Sequence, residues 1–274
     1  MRTLLIDAGN SAVKLAAADA TGPGPARSVA YAERDGPVFS IEAFPIRLKE
    51  ALRDPSLAQA TSAAGCLVAS DTARAAIESA VHALTGAPVQ WWRAQPAFDS
   101  DGVRLRNGYR DPEQLGADRW HAMLGARALA GGAAFVLVQA GTATTLDGVT
   151  ADGHFVGGEI LPGWDLMLAS LARGTARLPQ AAGQPADFAD NTDDAIASGV
   201  RDAQAGAVER FWRRFCSSHA RAADTRLVLT GGGAARLAAT LRDAEQFAAL
   251  TPLIQDNLVL RGLWLRSRVP RAAT

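Results

Sequence analysis

The sequence predicts an α/β protein built from two related lobes. Three observations carry this. A strand ending in a glycine turn, followed by two more strands, opens the chain, and the same order returns in its second half. Short β-rich runs alternate with stretches of helical apolar spacing. The length of 274 residues suits two lobes of ordinary size.

The elements follow in order. Residues 3–6 form a strand that closes on Asp7-Ala8-Gly9-Asn10, a turn sequence. Residues 11–18 form the returning strand, which makes a hairpin turned at Gly9-Asn10. A Gly/Pro loop at 21–25 leads to a third strand at 27–32. A helix at 45–52 has Pro45 in its first turn. A buried strand at 66–69, a helix at 72–84 and a strand at 88–92 come next. Residues 99–112 are polar and loop-like, and Pro112 opens a helix that runs to about 130, where Gly131-Gly132 end it. The opening unit then repeats: strand 134–138, turn Gln139-Ala140-Gly141-Thr142, strand 143–149, turn Asp152-Gly153, strand 154–156. Helices at 166–173 and 192–215 precede a strand at 226–229 that ends at Thr230-Gly231-Gly232-Gly233, with a helix at 234–243 behind it. The lobes divide into residues 1–118 and 119–274, hinged in or beside the helix after Pro112. The arginines at 261–271 read as a solvated tail.

Composition removes several classes. The chain is 48% apolar and 20% charged, which is globular rather than disordered or fibrous. Formal net charge is zero, so no field draws it to nucleic acid or an anionic membrane. No apolar run approaches a membrane span, and the opening run is too short for a signal peptide. Cys66 and Cys216 lack metal-site spacing and read as reduced thiols in a cytoplasmic protein. The four histidines are scattered and carry no catalytic assignment.

Three glycine elements carry the chemistry. Asp7 at a strand end can hold Mg²⁺ through water, Gly9 lets backbone approach a phosphate, and Asn10 and Ser11 can donate to phosphate oxygens. Lys14, one of two lysines, adds a compact positive charge. Alone this is a common turn. Gly141-Thr142 repeats it in the second lobe, and a pair of such turns can grip a polyphosphate across a cleft. Gly231 and Gly232, at a strand-to-helix junction, suit the nucleoside end of ATP. Between them lies Gly116-Ala117-Asp118-Arg119. A helix start and an adjacent arginine both favour a charged Asp118, which could deprotonate an alcohol, while Arg119 could bind a carboxylate. By spacing alone, a helix cap with a surface ion pair explains this segment as well. Asp147, Asp165, Asp193 and Asp194 read as caps, turns or solvated charges.

These pieces resemble a known family. The set is Asp7-x-Gly9-Asn10-Ser11-x-x-Lys14, Asn107-x-Tyr109-x-x-Pro112-x-x-Leu115-Gly116-Ala117-Asp118-Arg119-Trp120 and Gly141-Thr142-Ala143. It continues with Gly157-Gly158-x-Ile160-x-Pro162-Gly163, Thr175-Ala176-x-Leu178-Pro179, Asn191-Thr192-x-x-Ala195-Ile196-x-Ser198-Gly199 and Thr230-Gly231-Gly232. In this order, over nearly the whole chain, they are similar to the type III pantothenate kinases, also called Bvg accessory factor-like proteins. The resemblance implies an actin-like ATPase fold, two ribonuclease H-like lobes with mixed sheets flanked by helices, and a homodimer. It implies transfer of a phosphoryl group from ATP to pantothenate, the first step toward coenzyme A, with Mg²⁺. By the same resemblance Asp118 is the general base and Asp7 organises Mg²⁺. Gly9, Asn10, Ser11, Lys14 and Thr142 hold phosphates, and Gly231 and Gly232 lie near the nucleoside. Tyr109, Gly116, Ala117 and Arg119 line the pantothenate site, joined by Thr192 of a partner subunit.

One departure stands out. The family has aspartate where this chain has Gln139, at a site for a monovalent cation, K⁺ or NH₄⁺. A neutral glutamine should hold such a cation less well, so weak K⁺ dependence is expected. Two alternatives stay open: another small-molecule kinase of the same fold, and a regulatory protein with a vestigial site. Retention of Asp7, Asp118 and the glycine turns favours an enzyme.

Overall fold

The structure is a computed structural model that describes residues 2–31, 43–174, 183–242, 247 and 250–269. The chain packs as two compact units, Met1–Leu129 with Asn257–Thr274, and Ala130–Asp256.

In the first unit, β1 (Thr3–Ala8), β2 (Ala12–Ala18), β3 (Arg27–Ala30), β4 (Ser62–Leu67) and β5 (Val89–Trp91) form a mixed sheet in the order β3-β2-β1-β4-β5. β1 is antiparallel to β2 and parallel to β4. Leu4, Ile6 and Ala8 alternate onto one face, where they meet Phe44, Leu48 and Leu52 of α1 (Phe44–Leu52) and Ile77 and Val81 of α2 (Asp71–Thr85). Ser70 caps α2 by accepting from the Ala73 amide, and Gly86 ends it in a left-handed conformation.

The second unit repeats this plan. β8 (Ala134–Ala140), β9 (Ala143–Val149), β10 (His154–Pro162), β11 (Thr225–Thr230) and β12 (Leu253–Ile254) run in the order β10-β9-β8-β11-β12. Again the first strand is antiparallel to the second and parallel to the fourth. Val136, Val138, Leu146, Leu227 and Leu229 pack with Val208, Phe211 and Phe215 of α5 (Thr192–Ser218) and Leu237 and Leu241 of α6 (Ala234–Leu241). The duplicated unit expected from sequence is therefore present, with matching strand order in both units.

Three segments differ from expectation. Residues 99–112 are not one loop: β6 (Ala97–Ser100) and β7 (Val103–Asn107) form a hairpin. Its Asp101-Gly102 turn has both residues at positive φ, 50° and 75°, as a type I′ hairpin turn requires. Pro112 does not open the long helix. It opens a 3-10 turn (Pro112–Gln114) capped by Asp111, the chain becomes extended at Leu115, and α3 (Ala117–Ala130) starts afresh. The arginine-rich tail is not solvated throughout: α7 (Leu258–Ser267) buries Leu258, Leu260, Leu263 and Leu265 and packs on β1, β2 and β4. Its Gly262 lies so close to α3 that a Cβ there would fall 1.8 Å from the His121 carbonyl oxygen.

Candidate active site

In the first unit the site grows from the end of β1. Asp7 is opposite Lys14 on β2 and opposite Cys66 on β4. The Cys66 thiol donates to Asp7 Oδ1 at 3.9 Å. Asp7 as a whole is 9% exposed. Burial pushes its pKa up to about 6, the Lys14 charge pulls it down, and the Asp118 charge raises it again. Asp7, Lys14 and Asp118 therefore belong to one electrostatic group. The turn beyond Asp7 is closed by the Gly9 amide, which donates to the Ala12 carbonyl at 3.1 Å, and it presents Asn10 and Ser11 at the surface.

The second cluster follows β7. Asn107 is its organiser: Oδ1 accepts from the Tyr109 amide at 3.1 Å, and Nδ2 donates to the carbonyls of Gln95 (3.3 Å) and Pro112 (3.1 Å). This folds the 107–112 segment so that Tyr109 meets Arg119. Arg119, 4% exposed, donates from Nη1 to Tyr109 Oη at 2.9 Å. Asp118 Oδ1 accepts from the Arg119 amide at 2.8 Å. Gly116 makes room for that carboxylate, since a Cβ there would lie 2.6 Å from Asp118 Oδ1. The buried Ala117 gives its carbonyl oxygen to His121 Nδ1 at 2.7 Å. Burial lowers the His121 pKa to about 4, which keeps that imidazole neutral and structural.

In the second unit three glycine segments meet at the end of β8. The Gly163 amide donates to the Thr142 carbonyl at 2.9 Å, and a Cβ on Gly163 would fall 2.1 Å from Gly141 O. Gly231 has φ +93°, and a Cβ there would fall 2.5 Å from the Ala140 carbonyl oxygen. The Gly233 amide donates to that same carbonyl at 3.0 Å. Thr142 and the Gly231–Gly232 loop thus share one strand end. Behind the turn, buried Thr144 donates to Gln204 Oε1 at 2.8 Å, and Gln204 Nε2 donates to the Pro162 carbonyl at 2.8 Å. Gln204 so ties both sides of the turn to α5. Gln139 Nε2 donates to Thr145 Oγ1 at 3.2 Å. Thr192 is exposed in the first turn of α5, which Asn191 caps.

Sequence reasoning missed Cys66 and Gln204 as site supports, and read Asn107 only as part of a motif, without its organising role. Asp147, read as a solvated or turn charge, is fully buried within β9, where Thr145 Oγ1 lies 3.5 Å from its Oδ2. Asp165, Asp193 and Asp194, read as caps, turns or solvated charges, lie in first turns of helices. The Thr175-Ala176-x-Leu178-Pro179 motif lies outside the described residues. Among the described residues no group of three His, Cys, Asp or Glu side chains gathers to hold a metal.

Comparison with known proteins decides the family. The family model for type III pantothenate kinase matches residues 3–214. The type III pantothenate kinase of Bordetella petrii is 42% identical over 275 residues, covering 97% of each chain. That of Aromatoleum aromaticum is 44% identical over 209 residues, covering 76% of this chain and 79% of the other. The chain belongs to the type III pantothenate kinase family. The match takes in Asp7, Tyr109, Asp118, Thr142 and Thr192 and stops before Gly231. Two solved structures share the fold. A conserved Baf family protein from Campylobacter jejuni superposes with TM-score 0.55 at 18% identity over 94% of both chains. An activator of 2-hydroxyisocaproyl-CoA dehydratase from Clostridium difficile, with bound ADPNP, gives 0.51 at 10% identity over the full length of both. The expected actin-like α/β fold, two mixed sheets flanked by helices, is the fold of this type III pantothenate kinase family member. No helix among the described residues is long and apolar enough to cross a membrane.

Proposed function

We propose that this chain transfers the γ-phosphoryl group of ATP to the primary hydroxyl of pantothenate, with Asp118 as general base. The observation that carries the assignment of roles is the joint placement of Asp118, Asp7 and the Arg119–Tyr109 pair within one unit. The family reaction makes 4′-phosphopantothenate, the first step of coenzyme A synthesis, and its members are ATP-dependent kinases that use a divalent metal. Asp118 accepts the hydroxyl proton as the oxygen forms its bond to the γ-phosphorus, and the β–γ bridging oxygen departs with ADP. The Arg119 amide fixes the orientation of the Asp118 carboxylate. The buried guanidinium of Arg119, already paired with the Tyr109 hydroxyl, offers a preorganised donor for the pantothenate carboxylate. Gly116 and Ala117 form the wall beside it.

Asp7 fits a divalent cation. Its buried carboxylate faces a second negative charge, and a cation beside it would relieve both. Mg²⁺, held by Asp7 through water, would neutralise phosphate charge. Gly9, Asn10 and Ser11 in one unit, and Thr142 in the other, are on glycine turns that suit phosphate oxygens, and Lys14 on β2 adds a positive charge beside the first. Gly231 and Gly232 suit the nucleoside. Thr192 is read as reaching the pantothenate site from the partner in a homodimer. The free thiols of Cys66 and Cys216 fit a reducing cytoplasm.

Gln139 supports weak or absent K⁺ dependence. Its amide is committed to Thr145, and a neutral amide is a poor substitute for a carboxylate at a K⁺ site. Replacing K⁺ by tetramethylammonium at constant ionic strength should leave the rate within about twofold; a steep loss contradicts this. The substrate assignment is tested by offering pantothenate, sugars and acetate with MgATP. Turnover confined to pantothenate is expected, and turnover confined to a sugar or acetate contradicts it.

A further inference from the structure

Trp164 and Arg236 form a cation–π pair in the second unit that none of the roles above uses. Trp164 is the first residue of α4 (Trp164–Gly174), directly after Gly163. Arg236 lies in the first turn of α6, where the Leu237 amide donates to the Gly233 carbonyl at 3.0 Å. The guanidinium carbon of Arg236 is 4.8 Å from the centroid of the Trp164 ring.

Backbone contacts fix this pair relative to the Gly141–Thr142 turn from both sides. On the tryptophan side, Gly163 donates to Thr142 O and has no room for a Cβ against Gly141 O. On the arginine side, Gly231 presses on the Ala140 carbonyl and Gly233 donates to it. The stack therefore bridges the two glycine segments that flank the strand end. Trp164 is half-buried and Arg236 is exposed, so the edge of the stack reaches solvent. Among the described residues the Arg236 guanidinium has no carboxylate partner. A planar cation lying on an indole, with its charge left unneutralised, has the chemistry that holds a nucleobase beside anionic phosphates.

We infer that Trp164 and Arg236 are the platform on which the purine base of the nucleotide stacks. The assignment rests on reading Gly141–Thr142 as a phosphate turn and goes beyond it by naming the base-recognising residues. The competing role is a plain clamp between α4 and α6. A clamp would hold the fold without distinguishing one base from another, and its loss would weaken every ligand of this unit alike.

Direct binding separates the two. MgADP, MgCDP and magnesium pyrophosphate are titrated by calorimetry into the full chain and into W164A, W164F and R236A. The wild-type chain should bind ADP more tightly than CDP or pyrophosphate. W164A should weaken ADP by about tenfold, because one stacked base is lost, and leave pyrophosphate within about twofold. W164F, which keeps a π-face, should retain most of the ADP affinity, and R236A should fall between the two. ADP affinity unchanged within about twofold in both W164A and R236A overturns the inference. So does an equal loss for ADP and pyrophosphate, which marks the clamp. The readout does not need turnover, so a failure of the pantothenate assignment would show separately, as ADP bound without phosphopantothenate formed.

Discussion

Asp7 is a carboxylate set into the apolar end of a strand, and its neighbours decide its charge. Lys14 stabilises the ionised form, while burial and the Asp118 charge oppose it and prevail, which lifts the pKa from 3.8 to about 6. The native chain therefore keeps this proton between about pH 4 and pH 6, where the unfolded chain has lost it. The Asp7 contribution to stability falls as pH rises through that window and levels off above it, while His121, whose pKa burial lowers to about 4, contributes in the opposite sense over the same range. The lift corresponds to a cost on the order of 3 kcal/mol at neutral pH in the metal-free protein. Asp7→Asn should accordingly be more stable than the wild type at pH 8 in chelator, by a margin that grows as pH rises from 4 to 6, and be inactive. Chemical denaturation across pH checks this; equal midpoints for both proteins at pH 8 would contradict it. A carboxylate that destabilises its own fold is expected where charge is held ready for a ligand.

At the scale of elements, the end of β8 is a stack of backbones with no space for side chains. Gly163→Ala would bring a Cβ to 2.1 Å from Gly141 O and 2.6 Å from Thr142 O, so the β8–β9 turn must move. We expect a loss of about 1–3 kcal/mol in stability together with weakened ATP binding. Gly206→Ala in α5, where an added Cβ meets nothing within 4 Å, should instead be neutral or slightly stabilising. Thermal unfolding with an ATP titration checks both, and an unshifted ATP affinity in Gly163→Ala would contradict the first. The glycine turns were legible in sequence because a strand, a glycine and a returning strand leave a local signature. The same holds for α2, whose Ser70 cap and Gly86 stop frame it. The β6–β7 hairpin was also written locally, in Asp101-Gly102 between Ser100 and Val103, and was masked by the polar, arginine-bearing strands around it. The restart of α3 was local but not written in apolar spacing: Asp118 sits back against Gly116, two residues before it, and that close approach shows only in three dimensions. Gln204, Cys66 and the buried state of Asp147 depend on partners from other strands and helices, which no spacing in the chain announces. The tail concealed α7 because its arginines outweigh, in a linear reading, the leucines that bury it.

Across the whole molecule, one strand order is used twice, β3-β2-β1-β4-β5 and β10-β9-β8-β11-β12, and each copy places a glycine turn after its first strand. That duplication is why the fold class was readable from so little: two copies of a weak pattern exclude coincidence where one does not. The copies have diverged in what they offer. The first carries the acids, the lysine and the buried arginine; the second carries a dense glycine end and an aromatic–guanidinium pair. Phosphoryl transfer to an alcohol needs little beyond positioning, charge neutralisation and one base, and Asp118 is the side chain assigned to the base. The most direct test is ATP-dependent formation of 4′-phosphopantothenate by the purified chain beside Asp118→Asn, with MgADP binding measured on both. Product is expected from the wild type, a rate at least about 10²-fold lower from Asp118→Asn, and ADP affinity unchanged. Product formed by Asp118→Asn at the wild-type rate would contradict the assignment of the base, and a wild-type chain that binds MgADP without phosphorylating pantothenate would contradict the function itself.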